Sequence, residues 1–538
     1  MKTLKIYFLS ACLSVFLFGQ QAIAKGEDID AQTFFIDFGQ DATSWGDKTV
    51  GVDANGNIWN NVVAPSGAPS VLAAGATLDM VNSQGETTTV KFVLVTKINS
   101  NGKANGGLAE PDAALLGDLA VGTATNDYFF LDDGIGNQGW FRFEGLDNTK
   151  AYKFHIFGAR QTNDVRGGTF LIYGDNKWNG YLQTSGAGIG TNISNTNDNT
   201  VLVSAPVVPN AEGKINFEFF IASSSSKFAY ISAMKIEEVE QPEASVADNK
   251  FFIDFGKNNS GLDGALTVSP DKNGNYWNNV YSNGDGATNG TSDGTGNMTL
   301  KTSENTATDY VLELSSSNAK FNGVRNGGLL APSDELLGDL AIATATHDYL
   351  FTDEGNPIVM LFKNLDRKNT YRFNIFGSRE DPTARMSIIT LEGENTYTAA
   401  HQTTGKHVGG TGVNGNNRMI YVSDVITPDE DGQIKLTLTR KFGMAHINVM
   451  KIEEFKDFST SEIAPSSGSY ELRVGTNHEK LIVTVNETST VSIYNMLGIL
   501  VNKAEVEDSK TFALPAGSYI INSVSKDGKT RSVKALNR

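Results

Sequence analysis

Length, composition and charge restrict the classes of protein to which this chain can belong. Its 538 residues exceed the size at which a single hydrophobic core stops growing, so several domains are expected. The formal net charge of −17 excludes nucleic acid and anionic lipid as expected partners, because a surface of that sign repels both. The single cysteine, Cys12, excludes internal disulfides and sites built on several thiolates.

The first residues predict a cleavable signal peptide over 1–24. Two lysines, an apolar run from Ile6 to Phe18 and the small residues around Ala24 follow in the order that such leaders use. Cys12 offers a competing lipoprotein cleavage site, but the apolar run continues beyond it. No later stretch approaches the roughly 20 apolar residues of a membrane span. We therefore expect no transmembrane segment and a protein that is secreted or held at the outer cell surface.

The chain contains two copies of one sequence unit, called here the first copy (27–239) and the second copy (249–456). The motifs FFIDFG, WNN, NGGL, LLGDLA and MKIEE occur in this order from residues 34, 59, 105, 115 and 234, and again from 251, 277, 326, 336 and 450. Units this long are whole domains and not solenoid repeats. Short polar stretches separate the two copies from each other and from a third segment, 468–538.

Alternation of apolar and polar residues dominates each copy. In 151–157 every second residue is apolar, and 371–376 repeats the pattern, which predicts half-buried antiparallel strands. One helix is predicted in each copy, at 111–120 and at 332–341, with a proline where the first turn tolerates it. Many strands and few helices predict an all-β protein: two tandem jelly-roll β-sandwich domains and a small C-terminal β-sandwich.

The C-terminal segment 468–538 carries a different set of motifs. Tyr494-Asn-Met-Leu-Gly498 is followed by Leu514-Pro-Ala-Gly-Ser-Tyr519, then by Gly528-Lys529 and a basic end. This order resembles the type A sorting domain of Bacteroidetes type IX secretion. The resemblance implies that the type IX secretion machinery is a partner, exporting the protein across the outer membrane and removing this domain.

The repeated Trp-Asn-Asn motif is a candidate carbohydrate-binding element. An indole face stacks on a sugar ring, and asparagine offers both a donor and an acceptor to hydroxyl groups. The alternative is that the tryptophan is buried in the core beside a hydrogen-bonded asparagine. The candidate residues are Trp59, Asn60 and Asn61 in the first copy and Trp277, Asn278 and Asn279 in the second.

Two arginines recur at aligned positions, Arg160 with Arg379 and Arg166 with Arg385. The planar guanidinium pairs with carboxylates, which suits a uronic acid or another anionic glycan. The alternative is an internal ion pair with an acidic residue that both copies share. Those shared residues are Asp37 with Asp254 and Asp118 with Asp339. We assign ligand binding to Arg166 and Arg385, expected in a loop, and a structural role to Arg160 and Arg379.

No cofactor is expected, with the exception of a structural Ca²⁺ ion. The oxygen-rich candidates for it are Asp53 with Asp271, Asp132-Asp133 and Asp353-Glu354, although their spacing departs from the EF-hand order. No histidine recurs between the copies and none has metal-ligand spacing. The nucleophile-elbow pattern at Gly290–Gly294 lies in a Gly/Ser/Thr-rich stretch without the required strand and helix, and we interpret it as chance.

The shared motifs of the two copies resemble the galactose-binding-like accessory domains that accompany polysaccharide-degrading enzymes in Bacteroidetes. The resemblance implies a non-catalytic carbohydrate-binding protein whose partner is a polysaccharide. Two alternatives stay open. A polysaccharide lyase or glycoside hydrolase is favoured by paired carboxylates, or by arginine with tyrosine and histidine, in one copy only. A structural or adhesive surface protein is favoured by flat, charge-solvated loop faces and by the lack of an exposed aromatic residue.

Overall fold

The structure is a computed structural model that describes residues 32–41, 46–65, 70–132, 138–191, 195–223, 227–242, 246–258, 264–282, 286–287, 297–315, 319–352, 356–456, 472–476, 480–495, 500–514 and 517–537. These residues form an all-β protein, as the alternation of apolar residues predicts. The predicted signal peptide (1–24) lies outside them.

Fifteen strands are described in the first copy, and another fifteen in the second. Those of the first copy are β1 (Thr33–Gln40), β2 (Trp59–Ala64), β3 (Ser70–Leu72), β4 (Thr77–Val81), β5 (Thr87–Leu94), β6 (Ile98–Asn101), β7 (Tyr128–Asp132), β8 (Gln138–Glu144), β9 (Lys150–Phe157), β10 (Arg166–Tyr173), β11 (Lys177–Ser185), β12 (Leu202–Val203), β13 (Ile215–Ile221), β14 (Phe228–Ile231) and β15 (Ala233–Glu240). Those of the second copy are β16 (Asn249–Lys257), β17 (Trp277–Ser282), β18 (Gly286–Ala287), β19 (Asn297–Lys301), β20 (Ala307–Leu314), β21 (Lys320–Asn322), β22 (Tyr349–Thr352), β23 (Ile358–Lys363), β24 (Thr370–Phe376), β25 (Arg385–Glu392), β26 (Thr396–Thr404), β27 (Tyr421–Val422), β28 (Ile434–Phe442), β29 (Ala445–Ile447) and β30 (Val449–Phe455).

Each copy arranges its strands in three sheets with the same neighbours. In the first copy the orders are β12-β9-β15-β1-β2, β11-β10-β13-β8-β5-β4 and β14-β7-β6-β3. In the second copy they are β27-β24-β30-β16-β17, β26-β25-β28-β23-β20-β19 and β29-β22-β21-β18. Neighbouring strands are antiparallel except β1 with β2 and β16 with β17, which are parallel. The sequence repeat is therefore also a repeat of topology.

The helices differ from the predicted ones. The chain forms α1 (Ala113–Leu116) and α2 (Gly122–Thr125) in the first copy, and α3 (Asp334–Leu337) and α4 (Ala343–Thr346) in the second. Gly117, at φ 56°, and Gly338, at φ 53°, end α1 and α3 after one turn, and a 3₁₀ turn follows each. The single predicted helix is therefore one turn of α-helix and a 3₁₀ turn, followed by a second short helix that was not predicted.

All three sheets of a copy contribute to one apolar core. In the first copy the alternating residues Phe34, Ile36 and Phe38 of β1 pack with Phe141 of β8 and Phe129 of β7, and ring centroids of Phe38 and Phe129 are 5.4 Å apart. The predicted inward residues of β9 and β24 also lie in the two cores. A smaller apolar layer separates the five-stranded sheet from the short helices in each copy.

The second copy packs against the outer face of the six-stranded sheet of the first. Leu171 on β10 and Phe220 on β13 form a buried apolar contact with Val408 and Met419 of the second copy. Beside it the buried Arg418 guanidinium lies on the carboxylate of Glu218, which is on the same sheet face. The Gln402 amide donates to the Ile221 carbonyl at 3.1 Å. These contacts fix the orientation of one copy on the other.

The C-terminal segment forms two sheets of its own. Its strands are β31 (Leu472–Thr476), β32 (Lys480–Val485), β33 (Ser489–Asn495), β34 (Leu500–Val506), β35 (Ser509–Ala513), β36 (Gly517–Ser525) and β37 (Thr530–Asn537), in the orders β31-β32-β35 and β34-β33-β36-β37. They enclose a separate core that includes Leu481, Val491 and Ile521.

Candidate functional site

The tryptophans of the repeated Trp-Asn-Asn motif are buried. Trp59 is 4% exposed and Trp277 is 8% exposed, and each indole N–H donates to an aspartate carboxylate at 2.8 Å, Asp53 in the first copy and Asp271 in the second. The ring of Trp59 packs on Phe35 with centroids 5.1 Å apart. Stacking on a sugar needs an exposed indole face, so this geometry favours the structural alternative for both tryptophans.

The asparagines of the motif are bonded to the backbone. The Asn60 amide donates to the carbonyls of Phe35 and Val81, at 3.1 and 2.9 Å, and its oxygen accepts the Val81 N–H. The Asn61 amide donates to the Thr49 carbonyl at 2.8 Å. Equivalent bonds hold the aligned residues of the second copy, Asn278 and Asn279. The motif thus ties the edge strand β2 or β17 to its surroundings.

The carboxylates expected to bind Ca²⁺ have internal donors where they are described. Asp53 accepts the backbone N–H groups of Asn55 and Asn57 at 2.8 Å each, which makes a tight turn ahead of Trp59. Asp271 does the same in the second copy. Asp132 accepts from Asn99 at 3.0 Å. The remaining Ca²⁺ candidates, Asp133, Asp353 and Glu354, lie outside the described residues, as does Gly290–Gly294.

The shared aspartates do not pair with the repeated arginines. Asp118 pairs with Lys235 at 2.9 Å, and Asp37 accepts the Thr49 N–H at 2.8 Å. In the second copy Asp339 lies 3.9 Å from Lys451, and Asp254 accepts the Thr267 N–H. The shared aspartates therefore face a lysine or accept a backbone N–H group, and do not form the ion pairs with arginine that the structural alternative names. Arg166 and Arg385 were expected in a loop, but they are the first residues of β10 and β25.

Arg166 of the first copy lies on aromatic rings. We call Tyr128, Phe130, Arg160, Arg166, Phe228 and Tyr230 the first cluster; its four rings occupy the outer face of β7 and β14. The Arg166 guanidinium is 4.5 Å from the Phe228 ring centroid and 5.8 Å from that of Tyr230. It donates to the Tyr230 hydroxyl and, at 2.9 Å, to the Asp164 carboxylate. Burial raises the pKa of Tyr230, against the opposing charges of Arg166 and Arg160.

The second copy repeats this arrangement with two changes of residue. We call Tyr349, Phe351, Arg379, Arg385, Met444 and His446 the second cluster. Tyr349 and His446 meet edge to face with centroids 5.1 Å apart and an 81° angle, as Tyr128 and Tyr230 do at 4.9 Å and 81°. Arg385 donates to the sulfur of Met444 at 2.9 Å and also to the Asp381 carboxylate. A thioether is a weak acceptor, so this bond is weaker than the one that Arg166 makes to the Tyr230 hydroxyl.

Among the residues that the structure describes, each cluster holds two guanidinium groups against one contacting carboxylate, Asp164 or Asp381. Within the described residues, the Nε atoms of Arg166 and Arg379 are buried and have no hydrogen-bond acceptor. His446 adds no charge at neutral pH, because burial first, and then the charges of Arg385 and Arg379, lower the pKa of its imidazole well below the usual value. Its Nε2 atom is also buried without a partner. Each cluster therefore carries excess positive charge beside aromatic rings.

Two shallow clefts occur in the second copy. One of about 430 Å³ runs past Asp271 between Pro270 and Ile342, and one of about 410 Å³ crosses β19, β20 and β23 near Glu313 and Lys363. Their linings lack the repeated arginines and tryptophans. Among the residues that the structure describes, no group of three or more His, Cys, Asp or Glu side chains is arranged to hold a metal ion. No described helix is long and apolar enough to cross a membrane.

Sequence reasoning singled out the arginines but missed the rings around them. Tyr128 and Tyr349 stand at aligned positions in the Asp-Tyr pairs 127–128 and 348–349, and each hydroxyl donates to an aligned asparagine carbonyl, Asn105 or Asn326. The recurrence of that pair was the available signal. The sequence alone does not show that β14, more than 60 residues after Arg160, pairs with β7 and places its rings beside the arginines.

Comparisons with known proteins give no family for the chain. No family model and no curated protein matches it. The solved structures that resemble it include the extracellular domain of ANXUR1 from Arabidopsis thaliana, with 13% identity over 79% of this chain and 96% of that chain and a TM-score of 0.23. A β-glucuronidase from Ruminococcus gnavus matches with 13% identity over 35% of this chain and 36% of that chain, with a TM-score of 0.11. TM-scores of this size do not establish a shared fold.

Proposed function

We propose that this chain is an exported, non-catalytic carbohydrate-binding protein whose two jelly-roll, galactose-binding-like copies bind an anionic polysaccharide at the arginine–aromatic clusters. The observation that carries the proposal is the excess of guanidinium over carboxylate beside aromatic rings, at aligned positions in both copies. Guanidinium pairs with carboxylate in a planar, bidentate geometry, so a uronic-acid polymer fits the excess charge. Of the four rings in the first cluster, Phe228 is the one that is not buried, so it is the ring that a sugar could pack on.

The charge of the rest of the chain supports an anionic ligand over a neutral one. With a net charge of −17, most of the surface repels a polyanion, so binding has to occur where positive charge is concentrated. Such a distribution also gives specificity, because a polyanion that approaches elsewhere is rejected. Lys227, exposed beside Phe228, adds positive charge at the edge of the first cluster.

The contact between the copies suits a polymer as ligand. Since Arg418, Met419 and Val408 hold the second copy against the first, the two clusters keep a fixed separation. A chain long enough to span both gains avidity without any new contact, because its second binding event is intramolecular. Short oligosaccharides that reach one cluster only would bind weakly.

The place of action in the proposal follows from the two ends of the chain. The signal peptide at 1–24 and the sorting-domain motifs of 468–538 support export by type IX secretion to the surroundings or the outer cell surface. An anionic, plant or algal cell-wall polysaccharide would be encountered there.

Affinity electrophoresis in gels that contain polygalacturonate or alginate tests the proposal. The mature protein should be retarded, and the double variant Arg166→Ala/Arg385→Ala should migrate as in a gel without polymer. Arg367→Ala is the matched control, because this arginine is half-exposed and pairs only at the surface with Glu394 at 3.2 Å. Unretarded migration of the wild-type protein in every anionic polymer would contradict the proposal.

The conservative variant separates charge from geometry. Arg385→Lys keeps the positive charge but loses the planar fork, so retardation should fall steeply while the melting temperature changes little. Equal retardation by neutral glucans and by uronic-acid polymers would also count against a carboxylate ligand.

The second cluster supports one other candidate function, that of a polysaccharide lyase. Arginine, tyrosine and histidine come together there in one copy only, since Tyr230 stands in the first copy where His446 stands in the second. In such a reaction a base removes the proton at C5 of a uronate, the electron pair forms the C4–C5 double bond, and the bond to the O4 leaving group breaks as an acid protonates it.

Partial exposure of Arg166 and Arg385 makes binding the better supported function, because binding needs the guanidinium groups and not the buried rings. Tyr349 and His446 are both fully buried, and the Tyr349 hydroxyl donates to the Asn326 carbonyl at 2.9 Å, so neither group faces a reacting sugar in this conformation. Lyase activity gives ultraviolet absorbance from the unsaturated uronate. A rise in absorbance that is lost in His446→Gln would establish the enzyme and replace the binding proposal.

A further inference from the structure

Two buried aspartates of the first copy lie together beneath the short helices. Asp37 on β1 and Asp127, just before β7, are each 1% exposed. One oxygen of each has a donor: Asp37 Oδ2 accepts the Thr49 N–H at 2.8 Å, and Asp127 Oδ2 accepts the Gln40 N–H at 2.9 Å. The other oxygen of each, Oδ1, is buried and accepts no hydrogen bond from any residue that the structure describes. A buried carboxylate oxygen without a donor is costly and requires an explanation.

The two carboxylates are close to each other. Asp127 lies against Gly39, two residues after Asp37 on the same face of β1, and a Cβ added at Gly39 would come within 2.1–2.3 Å of the Asp127 carboxylate atoms. Burial raises the pKa of both carboxyl groups, and the charge of Asp37 raises that of Asp127 further. A glycine at position 39 is therefore what allows this approach.

Two amide oxygens on neighbouring residues also lack donors within the described part of the chain. Asn61 pairs with Asp37 in the parallel register of β1 and β2, so the two side chains share a face, and Asn61 Oδ1 is buried without a donor. Asn126 is 6% exposed, and its Oδ1 also lacks a donor. The aligned residue of the second copy, His347, has its Nε2 atom 3.6 Å from the neighbouring carboxylate, and we infer the same orientation for the Asn126 side chain.

The second copy has the same carboxylate pair, Asp254 and Asp348, but not the same surroundings. The oxygen of Asn279, aligned with Asn61, accepts the Thr267 N–H at 2.9 Å. His347 accepts the Ala265 N–H at 3.1 Å. Lys257, 3% exposed, stands where the first copy has Gln40. Burial raises the pKa of Asp348, and the Lys257 ammonium opposes that effect. Among the described residues, Asp254 Oδ1 and Asp348 Oδ1 are also buried without a hydrogen bond, so the two copies differ in the amide oxygen, the imidazole and the lysine and not in the carboxylates themselves.

We propose that the first copy binds a Ca²⁺ ion between Asp37, Asn61, Asn126 and Asp127, and that the second copy binds none there. Two carboxylates and two amide carbonyls are oxygen ligands of the kind that Ca²⁺ takes, six to eight at a time, with backbone oxygens or water filling the remaining positions.

Calcium binding by the mature full-length chain is the test. After treatment with a chelator, the protein is titrated with Ca²⁺ by calorimetry and with Tb³⁺ by luminescence. The wild-type chain should bind one ion and should melt at a higher temperature with Ca²⁺ than with the chelator. Asp127→Asn should lose binding and the Ca²⁺-dependent rise in melting temperature. The matched variant Asp348→Asn, at the aligned position of the second copy, should retain both.

A second variant guards against misfolding of the first. Asn126→His introduces the residue that the second copy already accommodates at this position, so it should keep the wild-type circular dichroism and lose Ca²⁺ binding. No binding by the wild-type chain, or undiminished binding by a folded Asp127→Asn or Asn126→His protein, overturns the proposal. Loss of binding in Asp348→Asn alone would place the ion in the second copy and overturn it as well. Glycan retardation is measured separately, because the ion is inferred without reference to the ligand.

Discussion

Arg418 of the second copy donates two hydrogen bonds to the carboxylate of Glu218 in the first, one of them at 2.7 Å. Both side chains are buried, with 10% and 1% exposure, and the Tyr173 hydroxyl joins them by donating to Glu218 at 2.7 Å. A buried ion pair contributes little net stability compared with an apolar contact, but it fixes orientation, because removing one partner leaves a charge without a partner.

Removing the Arg418 side chain should destabilise the joined copies. Arg418→Ala leaves the Glu218 carboxylate buried and unpaired, so the free energy of unfolding should fall by about 3–5 kcal/mol. Chemical denaturation measures the change. The control is Arg367→Ala, whose exposed pair with Glu394 is worth about 0–1 kcal/mol. Similar values for the two variants would show that the contact between the copies is loose.

Acid should weaken the second copy through its buried histidines. Burial lowers the pKa of His401 to about 4 and that of His446 well below its usual value. In the unfolded chain an imidazole has a pKa of about 6.5. The unfolded state therefore binds protons that the folded state does not, and stability falls as the pH drops from about 6.5 toward 4. Above about 6.5 both states are neutral and this effect vanishes.

The variant His446→Tyr, which introduces the residue of the first copy, should reduce that loss. Each depressed histidine contributes up to about 1.4 kcal/mol per pH unit in this window. The melting temperature should consequently fall less between about pH 7 and pH 5 in His446→Tyr than in the wild-type protein. Identical pH profiles would mean that the pKa of His446 is the same in the folded and unfolded states, which would contradict this prediction.

Replacing the buried tryptophans should affect stability and not binding. Trp59→Phe keeps the packing on Phe35 but removes the N–H that donates to Asp53, so about 1–2 kcal/mol of stability should be lost. Trp277→Phe is the same change in the second copy. Retardation in anionic polysaccharide gels should match the wild-type protein. Lost retardation with an unchanged melting temperature would instead assign the motif to ligand binding.

Removing the C-terminal segment should leave the two copies folded. The core around Leu481 and Ile521 includes no residue of the other cores, so a chain that ends at Lys456 should keep the melting transition of the remainder. In a Bacteroidetes host that has type IX secretion machinery, the truncated protein should accumulate in the periplasm, as fractionation and immunoblotting would detect. Normal export of the truncated protein would contradict the resemblance to a sorting domain.

The alternation of apolar residues and the internal repeat predicted much of the fold. The inward residues of β9 and β24 were predicted because one sheet face is buried in a core, and alternation records that directly. The helix at 111–120 was predicted too long, because the pattern of apolar residues does not reveal that Gly117 takes φ 56° and ends the first turn. The second helix, Gly122–Thr125, has one turn and no strong helix-forming pattern.

The site residues were harder to predict because their roles depend on partners distant in sequence. The sequence does not distinguish a buried tryptophan from an exposed one, because Asp53 and Phe35 come into contact with Trp59 only in the folded chain. Asp37 was singled out only as a possible partner of arginine, and its approach to Asp127 needs Gly39 and the crossing of β1 beneath the helices. Arg418 and Glu218 are not repeated, so internal comparison gave no signal for them.

The sheet face that receives the second copy is not repeated on the second copy itself. Register places Thr390 and Thr437 on the second copy where Leu171 and Glu218 stand on the first. The surface that receives a neighbour is thus apolar and charged in the first copy but hydroxyl-lined in the second. A third unit placed there would lack the apolar contact and the ion pair that hold the second copy on the first. Exchanging the order of the two units would leave Leu171 and Phe220 uncovered, and the arrangement therefore has a direction along the chain.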